Sequence, residues 1–155
     1  MIILRRIGAG ITKHLPARAS EWALALILMI WALNSIFTPG YLEQPSWLWL
    51  AEHGSQGLWG GAAFGIAALR LLALIINGTF ADTAWSRRSP HVRAAMAFLS
   101  CFFWLSQSLS VWVTETTATG LSASAVFFAL DIYNIVRTST DARHADEAWK
   151  HGRNA

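Results

Sequence analysis

Charge is scarce in this sequence. Asp, Glu, Lys and Arg make up 14% of its 155 residues, against roughly 25% in an ordinary soluble chain. Cysteine is nearly absent. Cys101 stands alone in an apolar run, so no intramolecular disulfide forms and no metal-type Cys/His cluster exists. It reads as a small buried hydrophobe. There is no phosphate-cradling Walker loop, no HExxH and no nucleophile elbow. The histidines, His14, His53, His91, His144 and His151, all fall outside the apolar runs. None faces another across a bilayer, as bis-histidine haem ligation requires. Asp82, His91 and the serines near them lack the spacing of a catalytic set. The chain is therefore expected to be non-enzymatic, with no cofactor and no metal.

Apolar residues are what the chain has instead. They make up 54% of it, with nine tryptophans. Four runs stand out, at residues 22–37, 58–76, 94–113 and 120–136. A membrane-spanning helix takes about 20 residues. The second and third runs reach that length, and the first and fourth borrow neighbours at the interface. The expected fold is all-α, an integral membrane four-helix bundle over residues 22–137. A basic segment, 1–21, precedes it and a charged tail, 138–155, follows.

The net charge of +3 and pI of about 9.6 invite a nucleic-acid reading. Position argues for topology instead. Arg5, Arg6, Lys13 and Arg18 precede the first run; Arg87, Arg88 and Arg93 lie between the second and third. Arg137, Arg143, Lys150 and Arg153 follow the fourth. The other two connections carry only Glu43, Glu52 and Glu115. Basic residues mark the cytoplasmic side, so both termini are expected there. The lead has no small-residue cleavage site and reads as an uncleaved anchor. Its Ile2, Ile3, Leu4, Ile7 and Ile11 among basic residues fit an interfacial helix up to Pro16 or a basic tail.

Local signals mark the connections. Pro39–Gly40 is a turn, and Pro45–Ser46 opens a short helix bearing Trp47 and Trp49, expected to lie in the headgroup layer. Asn77–Gly78 ends the second long helix, and Ser89–Pro90 precedes the third. In the tail, Asp146 and Lys150 stand four apart, a spacing that supports a continuing helix.

One basic residue, Arg70, sits inside a run, "GIAALRLLALIING". An arginine does not escape hydrocarbon by losing its proton. It lies ~18 Å below the outer edge at ~1.5 Å per residue. Asp131 on the fourth run lies at ~16–17 Å by the same count. The pair is predicted to be partnered, within one protomer or across two. Asn77, Ser100, Gln107, Ser110, Ser124 and Asn134 extend a polar stripe over the second, third and fourth helices. Two readings of the stripe stay open. It is a set of buried staples, or it lines a wet path. Gly57, Gly61 and Gly65 recur every four residues on another face of the second helix, a spacing that lets helices pack closely in lipid.

The strings "HLPARASEW", "RLLALIING", "SRRSPHVRAA" and "DIYNIVRTSTDARHADEA" resemble those of small multi-span membrane proteins encoded by tailed bacteriophages and prophages of Gram-negative hosts. Some phage proteins of this size are holins, which assemble in the inner membrane and open it at lysis. The resemblance implies a multi-pass protein of the bacterial inner membrane. The expected function is self-association of a homo-oligomer, holin-like, through the glycine face. Two alternatives remain: a docking protein that binds a soluble partner through its cytoplasmic tails, and a small channel or transporter gated by Arg70–Asp131.

Overall fold

The computed structural model describes residues 12, 14–79, 84–114 and 119–152. Arg5, Arg6, Lys13, Asp82, Glu115, Arg153 and most of the segment expected to form an interfacial helix lie outside them. The described residues are helical, with no strand among them. Five α-helices follow in order: α1 (Ala19–Phe37), α2 (Leu48–His53), α3 (Gln56–Thr79), α4 (Ala84–Val113) and α5 (Thr119–Gly152). Short 3-10 turns cover Pro16–Arg18, Tyr41–Glu43 and Pro45–Trp47.

The apolar runs are rich in Ala and Leu, which lose little conformational freedom in a helix. α1 stops where Thr38 turns extended, its N–H closing on the Asn34 carbonyl at 2.9 Å. Pro39 cannot continue the ladder. Gly40 then adopts φ 68°, a left-handed turn in which an added Cβ would meet the Glu43 carboxylate at 3.0 Å.

Among the described residues, three helices are long and apolar enough to cross a membrane: Pro16–Phe37, Gln56–Asn77 and Arg88–Val113. The fourth long helix, α5, is not among them. Two helices also outrun their apolar cores. At ~1.5 Å per residue, α4, with 30 residues, spans about 45 Å and α5, with 34, about 51 Å. α5 carries straight through the charged tail as far as Gly152.

Ser89–Pro90 does not precede the third long helix, as expected, but lies inside it. A proline near a helix start forfeits few ladder bonds. Both residues are buried, and the Ser89 hydroxyl donates to the Ala73 carbonyl of α3 at 2.6 Å. Packing therefore outweighs the local signal.

Contacts fix the directions of the long helices. The end of α1 meets the start of α3 at Ser35 and Gln56, and the end of α3 meets the start of α4 at Ala73 and Ser89. Ser108, late in α4, bonds Ser124, early in α5, at 2.9 Å. Ser20, at the start of α1, bonds Asn134 far along α5 at 2.8 Å. Successive long helices thus alternate up and down. α1 approaches α3 closely at Gly60, where a Cβ would stand 3.0 Å from Ile36 Cγ1 and 3.1 Å from Ser35 Oγ.

The connection between α1 and α3 folds over one end of these helices. Trp31 is its centre, with edge-to-face contacts to Tyr41, Trp47 and Phe103 at centroid distances of 5.8, 5.9 and 4.6 Å. Such pairs each contribute about 0.5–1.5 kcal/mol beyond burial. Gln56 Nε2 donates to the Ser35 and Thr38 carbonyls at 2.6 and 2.8 Å. Trp59 Nε1 donates to the Leu50 carbonyl at 2.8 Å, and Ser110 Oγ to the Ser46 carbonyl at 2.8 Å.

The surface inverts the soluble pattern. Glu21, Arg70, Arg93, Asp131 and Asn134 are wholly buried, whereas Ile30, Phe37, Phe98, Phe102 and Trp112 are 60–76% exposed.

Two outcomes follow from this packing. Gly60→Val overpacks the α1–α3 contact and lowers stability by about 1–3 kcal/mol, read as a fall in Tm in detergent; Gly61→Val leaves the Tm of the isolated chain unchanged. Burial pushes the Tyr41 phenol above its ordinary value, which is about 10. Its contribution to stability is full below that ordinary value and is lost as pH rises through the raised one. In a Tyr133→Phe chain the tyrosinate absorbance should therefore rise only above the ordinary phenol range.

Candidate functional site

Two arginines inside an apolar chain define the site. Arg93 on α4 follows the buried Ser89 by one helical turn, so it projects into the same interior. Its Nε donates to Glu21 Oε2 at 2.7 Å and its Nη2 to Glu21 Oε1 at 2.6 Å. This bidentate fork is the strongest form of the arginine–carboxylate bond. Nη2 also reaches Asp141 Oδ2 on α5 at 3.2 Å. The Asn77 side-chain oxygen, at the end of α3, accepts from Arg93 Nη1 at 2.8 Å and from Arg18. Arg18 Nη2 lies 3.4 Å from Asp141. Residues of all four long helices, or of the turn leading into α1, thus meet at Arg93.

A separate set of bonds lies along α5. Asn134 accepts from Ser20 and its Nδ2 donates to Asp131 Oδ1 at 3.4 Å. Thr138 Oγ1 donates to the Asn134 carbonyl at 2.6 Å. Farther out, His91 Nε2 lies 3.3 Å from Asp146, with both side chains partly exposed.

Arg70 and Asp131 come together within one chain, Nη2 to Oδ1 at 2.6 Å, both fully buried. The contact is a charge contact rather than an aligned hydrogen bond. Arg70 Nε and Nη1 and Asp131 Oδ2 have no hydrogen-bond partner among the described residues, nor does the buried Ser100 Oγ. The two pairs therefore differ in kind. Arg93–Glu21 is a saturated fork, and Arg70–Asp131 is a single contact between two charges.

The polar stripe does not form one lining. Asn77 joins the Arg93 network, and Asn134 bonds Ser20 and Asp131. Ser110 ties down the tryptophan-rich connection. Ser124 donates to its own helix at Gly120 and accepts from Ser108. Ser100 and Gln107 are buried. All of these face the interior of one chain except Asn77, which is half-buried.

Gly57, Gly61 and Gly65 pack against nothing in the chain; an added Cβ on any of them meets no atom within 4 Å. The close approach of α3 to α1 is at Gly60 instead. Trp47 stacks on Tyr41 at 5.9 Å and Trp49 on His53 at 4.0 Å, so both belong to the folded cap over the helix ends. Cys101 Sγ donates to the Phe128 carbonyl at 3.8 Å. No group of three or more His, Cys, Asp or Glu suited to a metal ion occurs among the described residues.

Sequence reasoning missed the Arg93–Glu21 fork, since it counted Arg93 only among the basic residues of the connection before the third run. A signal was present. Glu21 is the first acidic residue in the chain and opens the first apolar run, as Arg93 opens the third. Two helices entering from one side place those charges at one level.

Among the described residues the fold is thus all-helical, with three membrane-length apolar helices and charged groups in its interior. Comparison with known protein families, curated proteins and solved structures found no match to this chain.

The Arg70–Asp131 pair predicts opposite responses to single and paired changes. Asp131→Leu strands a buried guanidinium and should cost about 3–5 kcal/mol, whereas Arg70→Met combined with Asp131→Leu should restore stability to near the starting value. Thermal unfolding in detergent checks both.

Proposed function

We propose that the protein is an integral membrane four-helix bundle of a bacterial inner membrane, with both termini cytoplasmic, that acts by self-association rather than catalysis, in the manner of a holin-like permeabiliser. α5 completes the bundle, its Asp131 and Asn134 shielded by the other three helices. The uneven distribution of Lys and Arg supports the orientation.

The observation that carries the reading is the open glycine face of α3. Gly57 and Gly61 are exposed and Gly65 half-buried, and space beside all three is free. Phe64, Leu69 and Leu72 on the same helix are 42–53% exposed. Small residues flanked by large apolar ones let a second helix approach until backbones touch, which is how helices associate where lipid is as apolar as leucine. The partner in this reading is a second copy. The chain described here is the closed form; a water path opens when the helices separate and the interior serines turn outward.

A second reading is favoured by α5. Its last turns, with exposed Arg143, His144, Glu147 and Lys150, run beyond the apolar stretch as ordered helix. That surface suits a soluble partner, and the protein is then a docking protein.

Inducible expression in a Gram-negative host, following membrane potential and leakage of a cytoplasmic enzyme, separates the two. Abrupt depolarisation with leakage is the expected result, and Gly61→Leu should delay it and reduce cross-linked oligomer in the membrane. Polarised, healthy cells holding well-inserted protein would overturn the permeabiliser and favour docking.

A further inference from the structure

Charge at the Arg93 end does not balance. Arg18, Arg93 and Arg137 stand there with Glu21 and Asp141, and Arg18 feels the opposing charge of both Arg93 and Arg137. The Glu21 carboxylate is taken up by the fork to Arg93. Asp141 is shared between Arg93 at 3.2 Å and Arg18 at 3.4 Å. Arg137 has no ion pair among the described residues and is only half-buried. One guanidinium more than the carboxylates can neutralise is left at the edge of the helices.

The face that carries Arg137 indicates which anion fits. Ile132, Tyr133 and Val136 lead up to it along α5 and are 45, 57 and 64% exposed. Tyr133 lies four residues before Arg137, on the same helical strip. An outward apolar strip therefore ends at a cation, with a tyrosine of the type that favours the headgroup layer. A free anion gains nothing from that strip. A phospholipid uses both halves, its acyl chains along the strip and its phosphate at the guanidinium.

We propose that Arg137 binds the phosphate of an anionic phospholipid whose acyl chains lie against Ile132, Tyr133 and Val136. The planar guanidinium matches phosphate geometry. The surplus positive charge disfavours the ammonium of a zwitterionic headgroup. Basic pockets between spans on the cytoplasmic side recognise anionic headgroups in this way. The inference rests on the inner-membrane reading, which alkaline carbonate extraction tests separately.

The test reconstitutes the full chain in nanodiscs of equal phosphatidylglycerol and phosphatidylcholine and counts retained lipids by native mass spectrometry. The expected result is several-fold preferential retention of phosphatidylglycerol. Arg137→Gln should bring the two lipids to equal retention, Arg143→Gln should leave the preference intact, and millimolar inorganic phosphate should not displace the lipid. Equal retention by the unaltered chain would overturn the site, as would an Arg137→Gln chain that keeps its preference. Loss of preference in Arg143→Gln would replace the site with diffuse surface charge. Displacement by inorganic phosphate would make it a free-phosphate site. A chain that carbonate strips from membranes would overturn the membrane reading itself, and this inference with it.

Discussion

A guanidinium keeps its charge wherever the chain carries it, and this chain carries two of them to full burial. An isolated buried charge is too costly to persist unpaired. The helices must therefore deliver a carboxylate to each arginine, and that requirement governs their arrangement. Arg93 is met by Glu21 from α1, by Asp141 from α5 and by Asn77 from α3. Satisfying one side chain brings together four segments that are far apart in sequence. The up-and-down succession of the helices is what allows it, since the starts of α1 and α4 and the end of α3 then lie on one side.

The two ends of the fold are closed by different chemistry. At the Arg93 end the closure is a network of charges and amides. At the other it is aromatic, with Trp31 at its centre and Gln56 and Ser110 holding the connecting backbone. Between them lies Arg70–Asp131, a single contact with few accompanying hydrogen bonds. A saturated fork gives geometry as well as attraction, because two parallel bonds fix the plane of the guanidinium. A single contact gives attraction without that orientation. The middle pair is thus the less constrained of the two charged layers.

Much of this was legible from residue order. Counting along two helices that run the same way puts Arg70 and Asp131 at one depth, and the chain joins them. The apolar runs mark where long helices form, although they understate α4 and α5, whose ends are sustained by packing and ion pairs rather than by hydropathy. Pro90 reads as a boundary and sits within a helix because Ser89 and Arg93 on either side of it are bonded to α3 and α1. The glycines show the same division. A four-residue repeat draws attention to Gly57, Gly61 and Gly65, but the close approach of α3 to α1 is at Gly60, on the face that carries Arg70. Which glycine meets a neighbour depends on the rotation of α3 about its axis, and α1 and α4 set that rotation.

The sequence by itself determined the helical class, the presence of apolar helices long enough to cross a membrane, though it expected four where three qualify among the described residues, and the common level of Arg70 and Asp131, because these depend on composition and on a fixed rise per residue. Tertiary structure alone decided that Glu21 and Arg93 form a fork, that Asn77 serves its network, and that the polar stripe divides among separate partners. The physical reason is that depth is a property of one helix, whereas a partner is a property of two, fixed by rotation and distance that no single helix encodes.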